Sequence, residues 1–366
     1  MTAKEVCIAM EKGLRRVFVD ADIVHVPMAD GGEGTVDSVV AATNGQKKYL
    51  TVHGPLKGQK VKAYYGILGD GKTAVIEMAQ ASGLMLVAPE QRNPLETSTY
   101  GTGELIKAAL DDGVKTIIIG IGGSATVDGG LGMAQALGVE FKDKDQKLVA
   151  PTGAGLLKIE DISIAKLDQR LAKTKIIIAS DVENVLTGPT GAAKVFGPQK
   201  GADPQMVAFL DEGLHHYAQM IKKYLGKEIE KVPGSGAAGG LGAGLMAFLN
   251  ADIQPGVEVV ANAVHLAEKV AQADYVFTGE GGMDFQTKYG KTPFGVAQVA
   301  QKYHKPVIAE AGYLGERIEE LYEVGITAIF GIVARAQSLE ESLKNGATNI
   351  ERTTENIARL LKIEQN

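Results

Sequence analysis

The sequence is poor in cysteine, in aromatic residues and in long apolar runs. The single cysteine, Cys7, excludes a disulfide framework and indicates a reducing compartment, so we expect a cytoplasmic protein. Trp is absent, and aromatic residues make up 5% of the chain. The longest apolar stretch, Leu241–Leu249, is far shorter than the roughly 20 residues of a membrane span. Since no signal peptide is recognisable either, the sequence predicts a soluble protein without a membrane partner.

Clustered positive charge is also missing. The formal net charge is −6 at pH 7, and the one basic pair, Arg15-Arg16, lies on a predicted helix where it is expected to face solvent. Nucleic-acid binding requires clustered Lys and Arg side chains, so we expect no nucleic-acid partner. The six histidines form no recognisable catalytic triad, and no Cys/His spacing fits a zinc site.

Glycine, by contrast, is abundant, at 46 of the 366 residues. These glycines have no collagen-like period and cluster in loops, which indicates tight turns and segments that approach a ligand closely. A chain of this length, 45% of it hydrophobic, can bury a large core and is expected to form two domains.

The order of predicted strands and helices indicates an α/β fold. In the C-terminal third, three predicted strands alternate with helices, which is typical of a parallel sheet covered on both faces. The first 45 residues show the same alternation, with a predicted strand at Ile23–Met28 followed by a predicted helix. From about residue 47 to residue 78, alternating segments separated by turn residues predict antiparallel hairpins instead. The three C-terminal strands are expected near 275–277, 306–309 and 326–330.

These patterns predict two domains of different type. A Rossmann-like or flavodoxin-like parallel-sheet domain is expected from both chain ends, residues 1–45 and 270–366, with its first strand missing. An inserted mixed α/β domain is expected over residues 46–269.

The most informative stretch is the loop at 120–130, which follows the apolar run Thr116–Ile119. Its glycines let the backbone turn with positive φ and approach a ligand closely. Ser124 and Thr126 add hydroxyl donors, and a helix predicted from Leu131 would turn its N-terminus toward the loop. A phosphorylated ligand is the first expectation.

Four other polar, glycine-containing stretches stand out, and several of them follow predicted strands. In open parallel sheets ligands gather at the carboxyl ends of the strands. Phosphoryl transfer needs carboxylates to hold Mg²⁺, cationic groups to bind phosphate oxygens and a base for the attacking hydroxyl. Lys200 and Lys291 supply the cations. The candidate carboxylates are Asp30, Glu33, Asp128, Asp181, Glu280 and Asp284.

Two known motifs nearly fit. Gly120-x-Gly122-x-x-Ala125 matches the looser dinucleotide fingerprint, which leaves an NAD-dependent dehydrogenase as an alternative. However, Asp128 in the same loop would repel a pyrophosphate unless a metal intervened. Gly290-Lys291-Thr292 resembles the end of a P-loop, but the required earlier glycine falls at Phe285, so it is not a Walker A motif.

Together these loops resemble the type I glycerate kinase family, in order and spacing over nearly the whole chain. The resemblance implies ATP-dependent phosphorylation of glycerate to 2-phosphoglycerate or 3-phosphoglycerate with Mg²⁺, and two domains with a cleft between them. The matching stretches are VPMADGGEGT at 26–35, GTGELIKAAL at 101–110, GIGGSATVDGG at 120–130, DVENVLTGPTGAAKVFGPQKGA at 181–202, PGSGAAGGLGAG at 233–244 and TGEGGMDFQTKYGKTPFGVA at 278–297.

Two departures from the family pattern accompany the resemblance. The family's opening strand and Asp-Ser-Phe-Lys-Gly-Ser segment are missing before the first helix, which suggests a misassigned internal methionine or a truncation, and a form of weak or no activity if the chain truly begins here. Gly282 stands where the family typically has Arg, a natural clamp for carboxylate or phosphate.

A homodimer is left open, and a truncated, inactive nucleotide-binding paralogue is a further alternative to the kinase. The individual residues are expected to have the following roles. Asp181 and Asp128 are the candidates for metal ligand or catalytic group, with Lys291 as a third catalytic group. The expected contacts to ATP are Gly122, Gly123, Ser124, Ala125, Thr126, Lys200 and Gly281. The expected contacts to glycerate are Asp30, Glu33, Asn184, Glu280 and Asp284.

Overall fold

The computed structural model describes residues 1–363, which form an α/β fold with one mixed and one parallel main sheet. The helices are α1 Ala3–Arg15, α2 Thr35–Thr43, α3 Ala79–Ser82, α4 Tyr100–Asp111, α5 Leu131–Ala136, α6 Ala192–Phe196, α7 Pro204–Leu225, α8 Leu241–Leu249, α9 Gly256–Ala263, α10 Leu266–Gln272, α11 Thr292–Lys302, α12 Leu339–Lys344 and α13 Gly346–Ile363. The strands are β1 Gln46–His53, β2 Lys60–Ile67, β3 Thr73–Glu77, β4 Thr116–Gly120, β5 Glu140–Lys142, β6 Asp161–Ser163, β7 Lys175–Ala179, β8 Asp252–Gln254, β9 Val276–Met283, β10 Val307–Leu314 and β11 Ala328–Gly331.

The chain divides into two compact units. The larger unit consists of residues 31–36 and 44–256, and the smaller unit of residues 1–30, 37–43 and the described residues from 257 onward. The inserted segment was expected to end at residue 269, but the larger unit ends at Gly256, and α9 from Val257 onward and all of α10 belong to the smaller unit. Residues 31–36, expected with the chain ends, pack with the larger unit.

The larger unit is built on a six-stranded sheet of order β1-β2-β3-β4-β7-β8. The predicted hairpins are present, because β1, β2 and β3 pair antiparallel. From β3 onward the strands are parallel. The central strands β4 and β7 each carry three consecutive buried isoleucines, Ile117–Ile119 and Ile176–Ile178. Such β-branched runs suit a parallel strand that is covered on both faces.

The smaller unit has a three-stranded parallel sheet of order β11-β10-β9. Helix α1 begins at a capping box, in which Glu5 N–H donates to Thr2 Oγ1 and Thr2 N–H to Glu5 Oε2. It packs closely on α13 at Gly13, where a methyl group would lie 2.4 Å from the carbonyl oxygen of Glu351. A glycine is needed there because any side chain would push the two helices apart.

Several elements differ from the sequence prediction. Ile23–Met28 alternates like a strand but is not one, since no described neighbour forms a hydrogen-bonded ladder with it and Pro27 lacks a donor. The strand expected at 275–277 continues as β9 to Met283, because its glycines pair with β10. The short strand β8 and helix α12 have no counterpart in the prediction.

The small antiparallel pair also differs from expectation. In sequence, the segment 139–149 resembles a hairpin that turns at Asp143–Asp145. It pairs with itself only through a single bridge between Lys142 and Leu148, whereas β5 pairs with β6, some twenty residues further along the chain. A three-residue strand is too short for sequence to specify its partner.

Candidate active site

The carboxyl end of the larger unit's parallel strands carries an exposed glycine turn. Strand β4 ends at Gly120, and Gly122 and Gly123 beyond it are solvent-exposed. Gly123 has a φ of 72°, a backbone conformation that residues other than glycine rarely adopt. Residues from Ser124 to Gly130 turn back into the protein and are buried. Only the first part of the predicted loop is therefore open to solvent.

The segment 31–36 lies against the same edge. A methyl group on Gly120 would lie 2.4 Å from the carbonyl oxygen of Gly31, and one on Gly122 would lie 3.6 Å from the Cα of Gly32. Val36 N–H donates to the buried Glu77 at the end of β3, at 2.7 Å, which anchors the segment. This packing brings the exposed Glu33 to the edge where the glycine turn lies.

Asp181 lies two residues beyond β7, the strand next to β4. Gly120 pairs with Ala179 in the parallel register, so the two strands end side by side. Ser180 N–H donates to the carbonyl of Gln254 at 3.0 Å, which fixes the start of the loop, and the Asp181 side chain is exposed. Because the carboxyl ends of neighbouring parallel strands meet at one edge of the sheet, Asp181 lies at the same edge as the glycine turn and the segment that carries Glu33.

Asp128, which was expected to hold metal, lies in the interior. Its side chain is 0% exposed. Oδ2 accepts hydrogen bonds from the Thr99 backbone N–H at 2.8 Å and the Thr99 hydroxyl at 2.7 Å. Gly130 N–H donates to Oδ1 at 3.1 Å and Gly132 N–H to Oδ2 at 3.3 Å. Burial raises the pKa of this carboxyl group, and these hydrogen bonds oppose the shift.

Asp128 also occupies the N-terminus of α5. The sequence predicted that this helix would direct free N–H groups at a phosphorylated ligand. Instead Gly130 N–H and Gly132 N–H are taken by the Asp128 carboxylate, which is the anion at this helix end. Sequence reasoning missed Thr99, although a threonine directly before α4 is a recognisable helix-start signal.

Lys200 is buried beneath the same loop, at 2% exposure. Its ammonium group donates to Ser124 Oγ and to the Thr126 carbonyl oxygen, each at 2.7 Å. Burial lowers the pKa of Lys200 to about 7, and the negative charge of Asp128 opposes the shift. The lysine is thus directed at the loop backbone rather than at solvent.

The middle of the loop is enclosed as well. Ser124 forms a bridge with Gly83, and Ala125 N–H donates to the carbonyl oxygen of Ser82 at 2.9 Å. Thr126 is 0% exposed, and its hydroxyl has no hydrogen-bond partner among the described residues. The expectation that 124–126 present themselves to ATP does not match this geometry, because tertiary packing turns them inward.

In the smaller unit, Glu280 and Lys291 form the second charged group. Glu280 lies within β9 rather than in a loop, and its Oε1 is 3.7 Å from Nζ of Lys291, the residue that precedes α11. Burial raises the pKa of Glu280, and the charges of Asp30 and Asp284 raise it further, whereas Lys291 lowers it. Glu280 Oε2 is buried without a hydrogen-bond partner among residues 1–363. The group therefore retains an unused acceptor.

Of the other expected contacts, one is open to solvent and two form hydrogen bonds within the protein. Gly281 is exposed, and a methyl group there would meet nothing within 4 Å. Asp284 caps the turn that follows β9, accepting the Gln286 N–H at 2.8 Å. The Asn184 side chain donates to the carbonyl of Thr190 at 2.8 Å, within its own loop.

A buried carboxyl group in the smaller unit was not anticipated from sequence. Glu310 in β10 is 3% exposed, and the Thr354 hydroxyl lies 2.6 Å from its Oε1. Burial raises the pKa of Glu310 to about 7. Glu310 interrupts a continuous buried apolar run, Val307–Ala311, and its position in that run is the sequence signal that could have indicated a buried acid.

Within residues 1–363, no three or more His, Cys, Asp or Glu side chains are grouped so that they could hold a metal ion. No helix in this part of the chain combines the length and apolar character needed to cross a bilayer.

An exposed glycine turn after a parallel strand, with carboxylates on neighbouring loops, is the arrangement in which α/β proteins commonly bind phosphorylated ligands. The sequence profile of the glycerate kinase family matches residues 1–362. The chain belongs to that family.

Individual relatives agree with this assignment. The chain is 53% identical to the glycerate kinase of Halalkalibacterium halodurans, covering 98% of this chain and 94% of the relative. It is 50% identical to the glycerate 2-kinase of Escherichia coli, covering 99% and 95%. A crystal structure described as glycerate kinase 2 of Salmonella typhimurium superposes with a TM-score of 0.92 at 48% identity, covering 100% of this chain and 96% of that one.

Proposed function

We propose that this chain is an ATP-dependent glycerate kinase, which transfers a phosphoryl group to a hydroxyl of D-glycerate. Family membership and the names of the relatives support this activity, and the relative named glycerate 2-kinase favours 2-phosphoglycerate over 3-phosphoglycerate as the product. The observation that carries the proposal is the exposed Gly122–Gly123 turn beside Asp181, at the carboxyl ends of two paired parallel strands.

The glycine turn is assigned to nucleotide phosphate. Gly122 and Gly123 are exposed and lack side chains, so phosphate oxygens can approach their backbone closely. Ser124, Ala125 and Thr126, which were expected to share this role, are assigned to the support of the turn because they are buried.

Asp181 is assigned to the reacting hydroxyl and, with Glu33, to Mg²⁺. Mg²⁺ is usually held by one or two carboxylates together with substrate phosphates, and two exposed carboxylates at one sheet edge fit that arrangement better than an all-protein cage. When bound, the ion would neutralise phosphate charge. Asp181 would accept a hydrogen bond from the glycerate hydroxyl and orient it for attack. Asp128 is not assigned to metal, because its oxygens already accept four hydrogen bonds.

Lys291 is assigned to the carboxylate of glycerate or to the transferred phosphoryl group. Its ammonium group is partly exposed and has Glu280 as an ion-pair partner at 3.7 Å, a distance that leaves it free to engage an anion. Glu280, Asp30, Asp284 and the open backbone at Gly281 are proposed to line the same region of the smaller unit. Asn184 is assigned to its own loop.

The direct test is an assay of the purified full chain with ATP, Mg²⁺ and D-glycerate, in which ADP formation is measured and the product is identified by ³¹P NMR. We expect ADP release that depends on glycerate and a phosphomonoester at one hydroxyl. A change in nicotinamide absorbance with NAD and glycerate, without ATP, would instead identify a dehydrogenase. ATP binding without ADP release would identify a nucleotide-binding paralogue, and either result would remove the kinase assignment.

Three further expectations belong to this proposal. The smaller unit is interpreted as a discontinuous Rossmann-like or flavodoxin-like domain and the larger one as the inserted mixed domain. A cytoplasmic location is proposed from the single cysteine. Light scattering on the assay sample distinguishes a monomer from the homodimer that the sequence leaves open.

A further inference from the structure

The glycine loop needs something to hold its shape. Residues 120–130 include five glycines, and glycine loses more backbone freedom on ordering than any other residue. A loop of this composition is pre-organised for phosphate only if other groups fix it, because disorder in the free protein would weaken binding. Two buried side chains hold it from the inside: Asp128, which belongs to the loop itself, and Lys200, which does not.

The two side chains hold different parts of the loop. Asp128 accepts the N–H groups of Gly130 and Gly132, so it fixes the end that leads into α5. Lys200 donates to Ser124 Oγ and to the Thr126 carbonyl, so it fixes the part that directly follows the exposed turn. Lys200 arrives from a different segment, the turn 198–200 after α6, and therefore joins two distant stretches of the chain.

We propose that Lys200 is a positioning residue, which holds Ser124 and Thr126 so that the Gly122–Gly123 turn keeps its phosphate-binding shape, and which does not itself touch the nucleotide. This inference rests on the proposed function only for the identity of the ligand. The support of the turn by Lys200 is a property of the free protein.

The geometry argues against direct phosphate contact by Lys200. Its ammonium group is enclosed and donates to Ser124 Oγ and to the Thr126 carbonyl oxygen, each at 2.7 Å. To reach a phosphate it would have to leave the Thr126 carbonyl unpaired in the interior and the buried Asp128 charge uncompensated. Both losses are costly inside a protein.

The decisive measurement is hydrogen–deuterium exchange over 122–130 in the nucleotide-free full chain. We expect Lys200→Met to raise the exchange rates of this loop tenfold or more, because its local opening becomes easier. Lys194→Met is the matched control, since Lys194 lies in the neighbouring helix α6 with an exposed side chain paired to Asp211, and it should leave the loop unchanged. Unchanged loop exchange in Lys200→Met together with weakened ATP binding would overturn the proposal in favour of direct contact.

A second variant keeps the test decisive if Lys200→Met does not fold. Ser124→Ala leaves the lysine in place and removes one of its two acceptors, so it should raise exchange near the turn by a smaller factor. Where both variants fold, their effects on the affinity for ATP should be less than additive, because they interrupt one interaction. Full additivity, or no effect of Ser124→Ala on exchange, would contradict the inference. Since exchange is measured without nucleotide, a failure of the glycerate assay would leave this result intact.

Discussion

Two groups of this protein each combine a lysine with a carboxylate in glycine-rich surroundings, yet they differ in how far they are exposed to solvent. Lys200 and Asp128 in the larger unit are 2% and 0% exposed. The side chains of Lys291 and Glu280 in the smaller unit are 35% and 32% exposed. In the first group Asp128 accepts four hydrogen bonds and Lys200 donates two, whereas in the second Glu280 Oε2 has no hydrogen-bond partner among the described residues. From sequence, all four residues were expected to contact ATP, metal or glycerate, whereas burial separates the two groups into an internal support and a candidate binding site.

The largest effect should come from the buried group. Asp128→Ala removes the acceptor of four hydrogen bonds and the charge that accompanies Lys200, so we expect a loss of about 3–5 kcal/mol in the free energy of unfolding. Urea denaturation measures it. Asp252→Ala, at an exposed position on β8, is the control and should change stability by less than about 0.5 kcal/mol. A loss in Asp128→Ala as small as in the control would show that burial does not separate the two groups.

Asp181→Asn should affect activity rather than stability. We expect kcat for glycerate phosphorylation to fall by about 100-fold or more, because the amide cannot hold Mg²⁺ or orient the hydroxyl as the carboxylate does. The melting temperature should stay close to that of the wild type, since the side chain is exposed. Glu183→Gln, two residues further along the same loop and also exposed, should retain wild-type kcat. Equal activity of the two variants would remove Asp181 from the site.

Glu310 extends the comparison to a buried acid in the smaller unit. Its pKa in the folded protein, about 7, lies above the ordinary value of 4.5, so its contribution to stability is present below pH 4.5 and is lost as the pH rises through about 7. Glu310→Gln should therefore stabilise the protein by roughly 2–3 kcal/mol at pH 8 and have little effect at pH 4.5. Thermal unfolding across this range measures the effect, with the exposed Glu319→Gln as the control. If the stabilities of Glu310→Gln and the wild type changed equally with pH, the raised pKa of Glu310 in the folded protein would be refuted.

The smallest effect is expected at the open lysine. Lys291→Met should raise KM for glycerate by about tenfold, the order of one charge-assisted hydrogen bond, and should leave the melting temperature near that of the wild type. Lys302→Met, in the last turn of the same helix α11 and exposed, is the matched control and should leave KM unchanged. A marked loss of stability in Lys291→Met with unchanged KM would assign Lys291 to the scaffold, as proposed for Lys200.

Much of the fold was predictable because its signals are local. The apolar run of β4 and the hairpins before β3 were both predicted from short stretches of sequence. The family was also predictable, since its motifs are spread over the whole chain, and the sequence profile confirms it.

The orientation of individual side chains was not predictable. Whether Lys200 faces solvent or the loop depends on residues some seventy positions away. Whether the Asp128 carboxylate is open to a metal or engaged in internal hydrogen bonds depends on Thr99. The extent of β9 was missed for a related reason, because its glycines have low strand propensity and are held by pairing with β10. Pairing and burial are tertiary facts, so a residue's type and its place in a loop do not settle its role.

The contact between Glu310 and Thr354 determines where a single proton must lie. The Thr354 hydroxyl is 2.6 Å from Glu310 Oε1 and 2.8 Å from the carbonyl oxygen of Ile350, yet it carries only one hydrogen. Both contacts become hydrogen bonds only if the carboxyl group is the donor to Thr354, which then donates to Ile350. When Glu310 is ionised, the Thr354 hydroxyl can donate to the carboxylate or to the Ile350 carbonyl oxygen, but not to both. The protonation state of Glu310 therefore sets the direction of the hydrogen bonds that join β10 to α13.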